Sequence, residues 1–407
     1  MTMAQTDYQV RARSRQGRLV EHRIKASSEA EVASRIQQLG LVPIAIEATN
    51  RGWNREIRIG TQRVKPKDLA VFSRQFATML ASGLPILRCL AILSEQTENS
   101  RLSELLDQMR VEVEKGASLS ETMAQRREFP PLMVSMTRAG EVGGFLDTTM
   151  EQIAVSLEAD VRLRSTIKAA LTYPVAVGVI AVLIVIAMLI FVVPVFASLF
   201  DSFGGALPAP TQLLVDTSNL MKDPRFFVPT LAIVVTIVVL YRRNIRNPRL
   251  RGVIDPLKFR LPIFGALLQK VAIARLTRNL AALLHAGVPI LTALDIVAGT
   301  SGNIVISRAM EAVKDSVRQG TGIAKPLGEQ PVFPDMVVQM VSVGETTGSL
   351  DEMLDRIADF YDQEVSATTE QLTALIEPIM IVVLGGVVGG MIITMYLPIF
   401  NIFELIR

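Results

Sequence analysis

Apolar positions change period three times along this chain. They first alternate. Tyr8, Val10 and Ala12 are followed by a turn at Gln16-Gly17 and then by Val20, Ile24 and Ala26, which predicts two strands. Ser28 with Glu31 has the spacing of a capping box, opening a helix that Gly40 can end, and Pro43–Ala48 predicts a third strand. From residue 68 the period becomes helical. Phe72, Phe76, Met79 and Leu80 share one face, as do Leu276, Leu280, Leu283 and Leu284. Finally, unbroken apolar runs cover residues 169–200, 226–241 and 377–403, and are read as membrane spans. The second is short for a hydrocarbon core roughly 30 Å thick.

The helical and apolar parts occur twice. Residues 68–200 recur as 272–404 at a constant offset of 204, without a gap. Gly83 and Pro85 return as Gly287 and Pro289, and Gly140, Glu141 and Gly144 return as Gly344, Glu345 and Gly348. Pro174 and Pro194 return as Pro378 and Pro398. A glycine can close a helix in the left-handed conformation, and a proline two residues on suits the next helix start, so each Gly-x-Pro predicts a tight helical hairpin. Gly116 and Gly320 predict a second hairpin. Phe129-Pro130 and Phe333-Pro334 start the next helix, which stops at Gly-Glu-x-x-Gly. A long helix then runs from Phe145 or Ser349 into the membrane, its second copy capped by Ser349 and Glu352.

The fold class expected is therefore an all-α integral membrane protein. It has two homologous cytoplasmic helical bundles, three transmembrane helices and a small N-terminal α/β module. The boundaries are an α/β module at 1–50, a linker at 51–67, a first bundle at 68–168 and a first span at 169–200. An extracytoplasmic loop at 201–225 and a second span at 226–241 follow. A basic connector at 242–271 leads to the second bundle at 272–376 and the third span at 377–403.

Charge orients these parts. Arg162, Arg164 and Lys168 precede the first span and Arg242, Arg243, Arg246, Arg249 and Arg251 follow the second, whereas 201–225 holds only Lys222 and Arg225. Positive charge marks the cytoplasmic side, so the N-terminus is expected inside and the C-terminus outside, with the two copies as parallel repeats. Residues 1–67 carry thirteen Lys/Arg against six Asp/Glu. That suits anionic lipid or an acidic cytoplasmic partner; nucleic acid is disfavoured because stacking aromatics are absent from the basic run. One cysteine and two histidines exclude a disulfide framework or a Cys/His metal site within one chain.

Candidate chemistry is sparse. No Gly-x-x-x-x-Gly-Lys-Ser/Thr is present, so no nucleotide hydrolysis and no cofactor is expected. Glu141, Asp147 and Glu151 are weak candidates for a hard cation such as calcium, and the twin Gly-Glu-x-x-Gly segments read better as structural turns. His285 replaces Ala81 of the first copy and reads as a cation at a helix C-terminus. Gly385, Gly386, Gly389 and Gly390 form two interleaved Gly-x-x-x-Gly pairs, a face for packing against the first span or another protomer. Glu377 before Pro378 lies at the inner edge of the third span, where an acidic residue anchors at the interface or marks a functional contact. Pro194 and Pro398 should kink or end their helices.

The twin Gly-x-Pro hairpins, the twin Gly-Glu-x-x-Gly turns, Tyr173-Pro174 against Glu377-Pro378, and Pro-x-Phe at 194–196 and 398–400 resemble the type II secretion F / PilC family. The stretch Asp68–Ile86 is similar to that family's opening helix and hairpin, and residues 8–48 resemble the N-terminal segment many members carry. The resemblance implies a non-enzymatic inner-membrane platform for type IV pili or type II secretion. It implies a hexameric cytoplasmic assembly ATPase, pilin or pseudopilin subunits and other inner-membrane assembly components as partners. The glycine face adds an expected homo-oligomer. A transporter is disfavoured by three spans with almost no internal charge, and a membrane enzyme by the want of a nucleophile–base pair.

Overall fold

The computed structural model describes residues 6–13, 19–26, 32–33, 42–48, 63–202, 207–244, 248–262 and 264–405. It divides into Met1–Thr61 and Gln62–Arg407. In the first unit, β1 (Thr6–Arg13), β2 (Leu19–Ala26) and β3 (Val42–Ala48) form an antiparallel sheet in the order β2-β1-β3. Tyr8 pairs with Ile24 on one side and Ala48 on the other, and the β1–β3 register shifts between Arg11 and Ala12. Val32 and Ala33 are helical; the rest of the expected 28–40 helix and the 51–62 linker lie outside the described residues.

The second unit is helical wherever it is described as regular structure. Its first copy comprises α1 (Pro66–Ala81), α2 (Ile86–Gln96), α3 (Ser100–Glu114), α4 (Leu119–Ala124) and α5 (Pro131–Gly143). The long α6 follows: Leu146–Ala187, a π-helical turn over Met188–Val192, then Val193–Ser202. The stretch expected as an outer loop is itself mostly helix, α7 (Ala209–Lys222), and α8 (Pro224–Asn244) follows. The basic connector is mostly helical too where it is described. It forms α9 (Pro248–Arg260) and the first turns of α10 (Phe264–His285), so the second bundle begins earlier than the repeat boundary suggested. The second copy continues through α11 (Ile290–Thr300), α12 (Ile304–Arg318), α13 (Ala324–Gly328), α14 (Asp335–Thr347) and α15 (Leu350–Leu405).

The helices end where chain chemistry requires it. Gly83 and Gly287 adopt φ of 81° and 70°. The amides after them, Leu84 and Val288, reach back to the carbonyls of Met79 and Leu283 at 3.1 and 3.0 Å. This six-residue closure satisfies otherwise orphaned carbonyls and requires the left-handed residue that glycine supplies most cheaply.

Burial follows the repeat. Phe72, Phe76, Leu90, Met123 and Met150 of the first bundle are buried, and so are their counterparts Leu276, Leu280, Leu294, Leu327 and Leu354 in the second. The two bundles share one continuous apolar core. Where α6, α10 and α15 converge toward the membrane, Leu163, Leu267, Val271, Val365 and Leu372 form a smaller core of their own.

Among the described residues two helices are long and apolar enough to cross a membrane, Leu146–Leu199 and Leu350–Pro398. Many of their apolar side chains are exposed, Val175 and Val382 among them. Near their far ends Leu189, Val193, Met391 and Met395 pack together, and Phe196 meets Tyr396 edge-on at 6.4 Å.

Pro194 and Pro398 are expected to kink or end their helices; neither helix ends there, because the released backbone groups find partners. Before Pro194 the helix widens, and the Val193 amide bonds Met188 O, five residues back. The next bond of that series would use the missing amide of Pro194 and leaves Leu189 O bare. Ser218 on α7 donates its hydroxyl to that carbonyl at 2.5 Å. Pro398 likewise withholds an amide from Thr394 O, which accepts from Thr211 on α7 at 2.7 Å. Thr211 and Ser218 are both buried. In a medium without water, side-chain hydroxyls are the replacement donors at hand.

Candidate functional site

The recurring polar constellation lies where each bundle grips the base of its own long helix. In the first copy Arg74 on α1 chelates Glu158 on α6, Nε to Oε1 at 2.7 Å and Nη2 to Oε2 at 2.8 Å, and also bonds Glu151. In the second copy Arg278 on α10 bonds Asp359 and Asp362 on α15 at 3.0 and 2.8 Å. Planar guanidinium groups suit such forked contacts. The two clamps differ electrostatically. Hydrogen bonding from Arg74 holds the Glu158 carboxyl below the usual range, whereas burial pushes the Asp362 carboxyl up despite Arg278.

The Gly-Glu-x-x-Gly segments are more than helix stops. Glu141 accepts from the amides of Leu119 and Ser120 at 2.5 and 2.9 Å, and Glu345 accepts from Ile323 and Ala324 at 2.8 and 3.2 Å. Each carboxylate thus ties the helix before it in sequence, α4 or α13, into the bundle, where free amides and the helix dipole favour negative charge. The preceding glycine permits close approach. A Cβ on Gly140 would lie 2.7 Å from Thr149 Oγ1, and one on Gly344 would lie 2.9 Å from Leu350 Cα. Gly144 and Gly348 close the two helices with φ of 76° and 75°.

The caps are not equivalent. Ser118 accepts from the Glu121 amide at 3.2 Å and Glu121 accepts from the Ser118 amide at 3.3 Å, a capping box. Its counterpart Gly322 has no side chain to offer, and a Cβ there would fall 2.2 Å from Glu345 Oε1. The expected second-copy cap at Ser349 and Glu352 takes another form: the Ser349 hydroxyl lies 2.6 Å from that of Thr347, and Glu352 pairs with Arg356 at 2.8 Å.

His285 does more than close a helix. Its Nδ1 lies 3.1 Å from Asp351 and its Nε2 lies 2.9 Å from Asp355, joining α10 to α15. Between the copies, Arg275 Nε on α10 meets Asp160 Oδ1 on α6 at 2.7 Å, and Asp160 also pairs with Arg164 at 2.8 Å. Burial lowers the Arg275 pKa, opposed by Asp160. Ser156 donates to Asn279 Oδ1 at 3.4 Å nearby, and a cavity of about 170 Å³ opens beside these charges.

The three weak cation candidates are not gathered. Glu141 is engaged by the α4 amides, Glu151 by Arg74, and Asp147 sits in the first turn of α6. Among the described residues no group of three His, Cys, Asp or Glu side chains is placed to hold a metal. The glycine face is uncovered within the chain: a Cβ at Gly385, Gly386, Gly389 or Gly390 would meet nothing within 4 Å. Pro174 is buried inside α6, and Glu377 and Pro378 are exposed on α15.

Arg74 recurs as Arg278 at the offset of 204, and sequence reasoning missed the clamp. The signal was available: a carboxylate follows each arginine after 84 residues, Glu158 in one copy and Asp362 in the other. The hydroxyls of Thr211 and Ser218 left no such signal, because nothing in the pattern pairs them with carbonyls far along the chain.

The fold defines a class of protein: a duplicated helical unit, each copy clamped to a helix long and apolar enough to cross a membrane. The family model for type II secretion system protein F matches residues 72–194 and again 276–398, and that for its N-terminal domain matches 3–47. The chain belongs to the type II secretion system protein F family. It is 44% identical to the type IV pilus assembly protein PilC of Thermus thermophilus, over 97% of this chain and 98% of that one. It is 40% identical to the protein of that name from Myxococcus xanthus, over 96% and 94%. The type II secretion system protein F of Xanthomonas campestris is 31% identical over 97% and 98%.

Proposed function

We propose that this protein is the inner-membrane platform of a type IV pilus assembly machine, coupling a hexameric cytoplasmic assembly ATPase to insertion or extraction of pilin. The observation that carries this reading is the continuity of α6 and α15 from clamped base to apolar span. A helix gripped at its base by an arginine fork moves with its bundle, so rotation or tilt of the bundle reaches the membrane.

The reading takes α8 as a third span. Its 21 residues reach about 31 Å at 1.5 Å each, and described side chains such as Val228 and Ile237 are exposed. Arg243 at its end, against the sparse positive charge of 201–225, supports a cytoplasmic N-terminus and an extracytoplasmic C-terminus. The boundaries set out above stand as the domain plan, moved only where α7, α9 and α10 are helical. The uncovered glycines 385, 386, 389 and 390 and the exposed Glu377 are assigned to contacts with a second protomer or a pilin helix. The platform itself is assigned no catalysis and no cofactor.

Deleting residues 68–140 should abolish both capture of the ATPase from membranes and piliation; unchanged fibre assembly would discard the coupling. A second reading is the corresponding platform of a type II secretion or competence pseudopilus. It draws on the 31% match to type II secretion protein F. Affinity capture distinguishes the two by which pilin accompanies the chain.

A further inference from the structure

Helix α9 carries an exposed apolar row that the platform reading leaves unused. Leu250, Val253 and Leu257 are 36%, 71% and 60% exposed. At about 100° per residue they fall within an arc of roughly 60°. The row continues beyond the helix with Leu261, Phe264 and Leu268, each at least 37% exposed.

The other side of α9 is fixed. Asp255 is 4% exposed and accepts from the Ile304 amide at 3.1 Å and from Lys258 Nζ at 3.0 Å. A Cβ on Gly252 would meet Arg308 at 3.9 Å, and Phe259 packs against the core. The outward apolar face is therefore held in place by its opposite face.

The segment is basic. By helical register, Arg260 lies beside the row, while Lys258, engaged by Asp255, lies toward the fixed face. Residues 242–260 contain seven Arg/Lys against a single acidic residue, Asp255. The location is also restricted. The four residue steps from Asn244, where α8 ends, to Pro248, where α9 begins, span at most roughly 14 Å.

An apolar row in a segment with a large excess of positive charge, tethered to the end of a span, matches the boundary between anionic headgroups and acyl chains. A protein groove would also cover the apolar row, but it would not by itself account for that excess of positive charge. We propose that α9 and the turn after it lie in the inner-leaflet headgroup layer and bind anionic phospholipid, fixing the height of the second bundle. This rests on the topology above, in which α8 spans the membrane and ends inside.

The test uses the full chain with Cys89→Ala and one new cysteine, at Val253, Leu257 or, as an exposed bundle control, Asp107. Each is spin-labelled in nanodiscs of phosphatidylcholine with or without phosphatidylglycerol. Labels at 253 and 257 should collide with oxygen more than with a water-soluble nickel chelate, placing them roughly 5–10 Å into the interface. The label at 107 should show the reverse, and immersion should be greater with phosphatidylglycerol. Labels at 253 and 257 that behave like 107 in both lipids would overturn the inference. So would spin–spin broadening that disappears on dilution with unlabelled chain, which would assign the face to a second copy. Equal immersion in both lipids would reject the anionic preference. Independently, Arg243→Cys should react with an impermeant maleimide only after cells are permeabilised. Reaction in intact cells would sink the topology and this inference with it; aqueous labels with Arg243→Cys shielded in intact cells would sink the inference alone.

Discussion

The two copies share one backbone plan but are stabilised differently. The first bundle is packed with aromatics: Phe72 stacks on Phe76 at 5.5 Å and meets Phe129 edge-on at 6.2 Å. In the second, Leu276 and Leu280 stand at those two positions, and a void of about 20 Å³ remains among Leu280, Phe333 and Leu354. The first copy also has its capping box, whereas the second has Gly322 and depends on Glu345. What the second copy gains is polar: His285 against Asp351 and Asp355, and Arg275 reaching across to Asp160. Both copies keep the hairpins and clamps, while the aromatic cluster belongs to the first and the histidine bridge to the second.

The sharpest way to break this comparison is in the core. Phe76→Ala should cost about 3–5 kcal/mol, and Leu280→Ala nearer 2 kcal/mol because its surroundings are already loose. Hydrogen exchange resolved by copy should show the larger loss of protection in the first bundle; equal losses would contradict the packing difference. Next come the α7 hydroxyls. Thr211→Val or Ser218→Ala leaves a buried carbonyl bare, at about 1–3 kcal/mol each, and thermal unfolding in detergent should register it. Smaller is the cap effect. Glu345→Ala should cost about 1–2 kcal/mol, and Glu141→Ala less, because Ser118 and Glu121 still hold α4.

The smallest effect is a pH difference between the clamps. Glu158 has its folded pKa lowered, so its stabilisation is complete above the ordinary glutamate range and is lost as pH falls through the lowered value. Asp362 has its folded pKa raised, so its ionisation opposes folding at neutral pH and that cost disappears as pH falls through the raised value. Titrating carboxyl resonances should show Glu158 below, and Asp362 above, the ordinary value for its own residue type; a shift of either in the other direction would remove the electrostatic distinction.

Much of the fold was legible because it was written twice. The offset of 204 displayed the hairpin glycines and the start of each long helix without any three-dimensional information. The site was legible only in part. Glu141 and Glu345 stood out by repetition, but their partners are backbone amides, which every residue carries and no sequence pattern marks. Pro194 and Pro398 were read as kinks or ends because helix chemistry alone removes a bond at each; α7 supplies replacement donors from a segment read as a loop. The clamps join residues 84 positions apart, beyond any local periodicity.

The central claim is that bundle movement reaches the membrane because α6 and α15 are stiff between clamp and span. A flexible Gly-Ser insert after Thr166, or after Glu370 in the second copy, should abolish piliation while capture of the assembly ATPase persists. A helix-forming insert of whole turns at the same place should restore fibres to a measurable level. Wild-type piliation with the Gly-Ser insert in both helices would contradict the account.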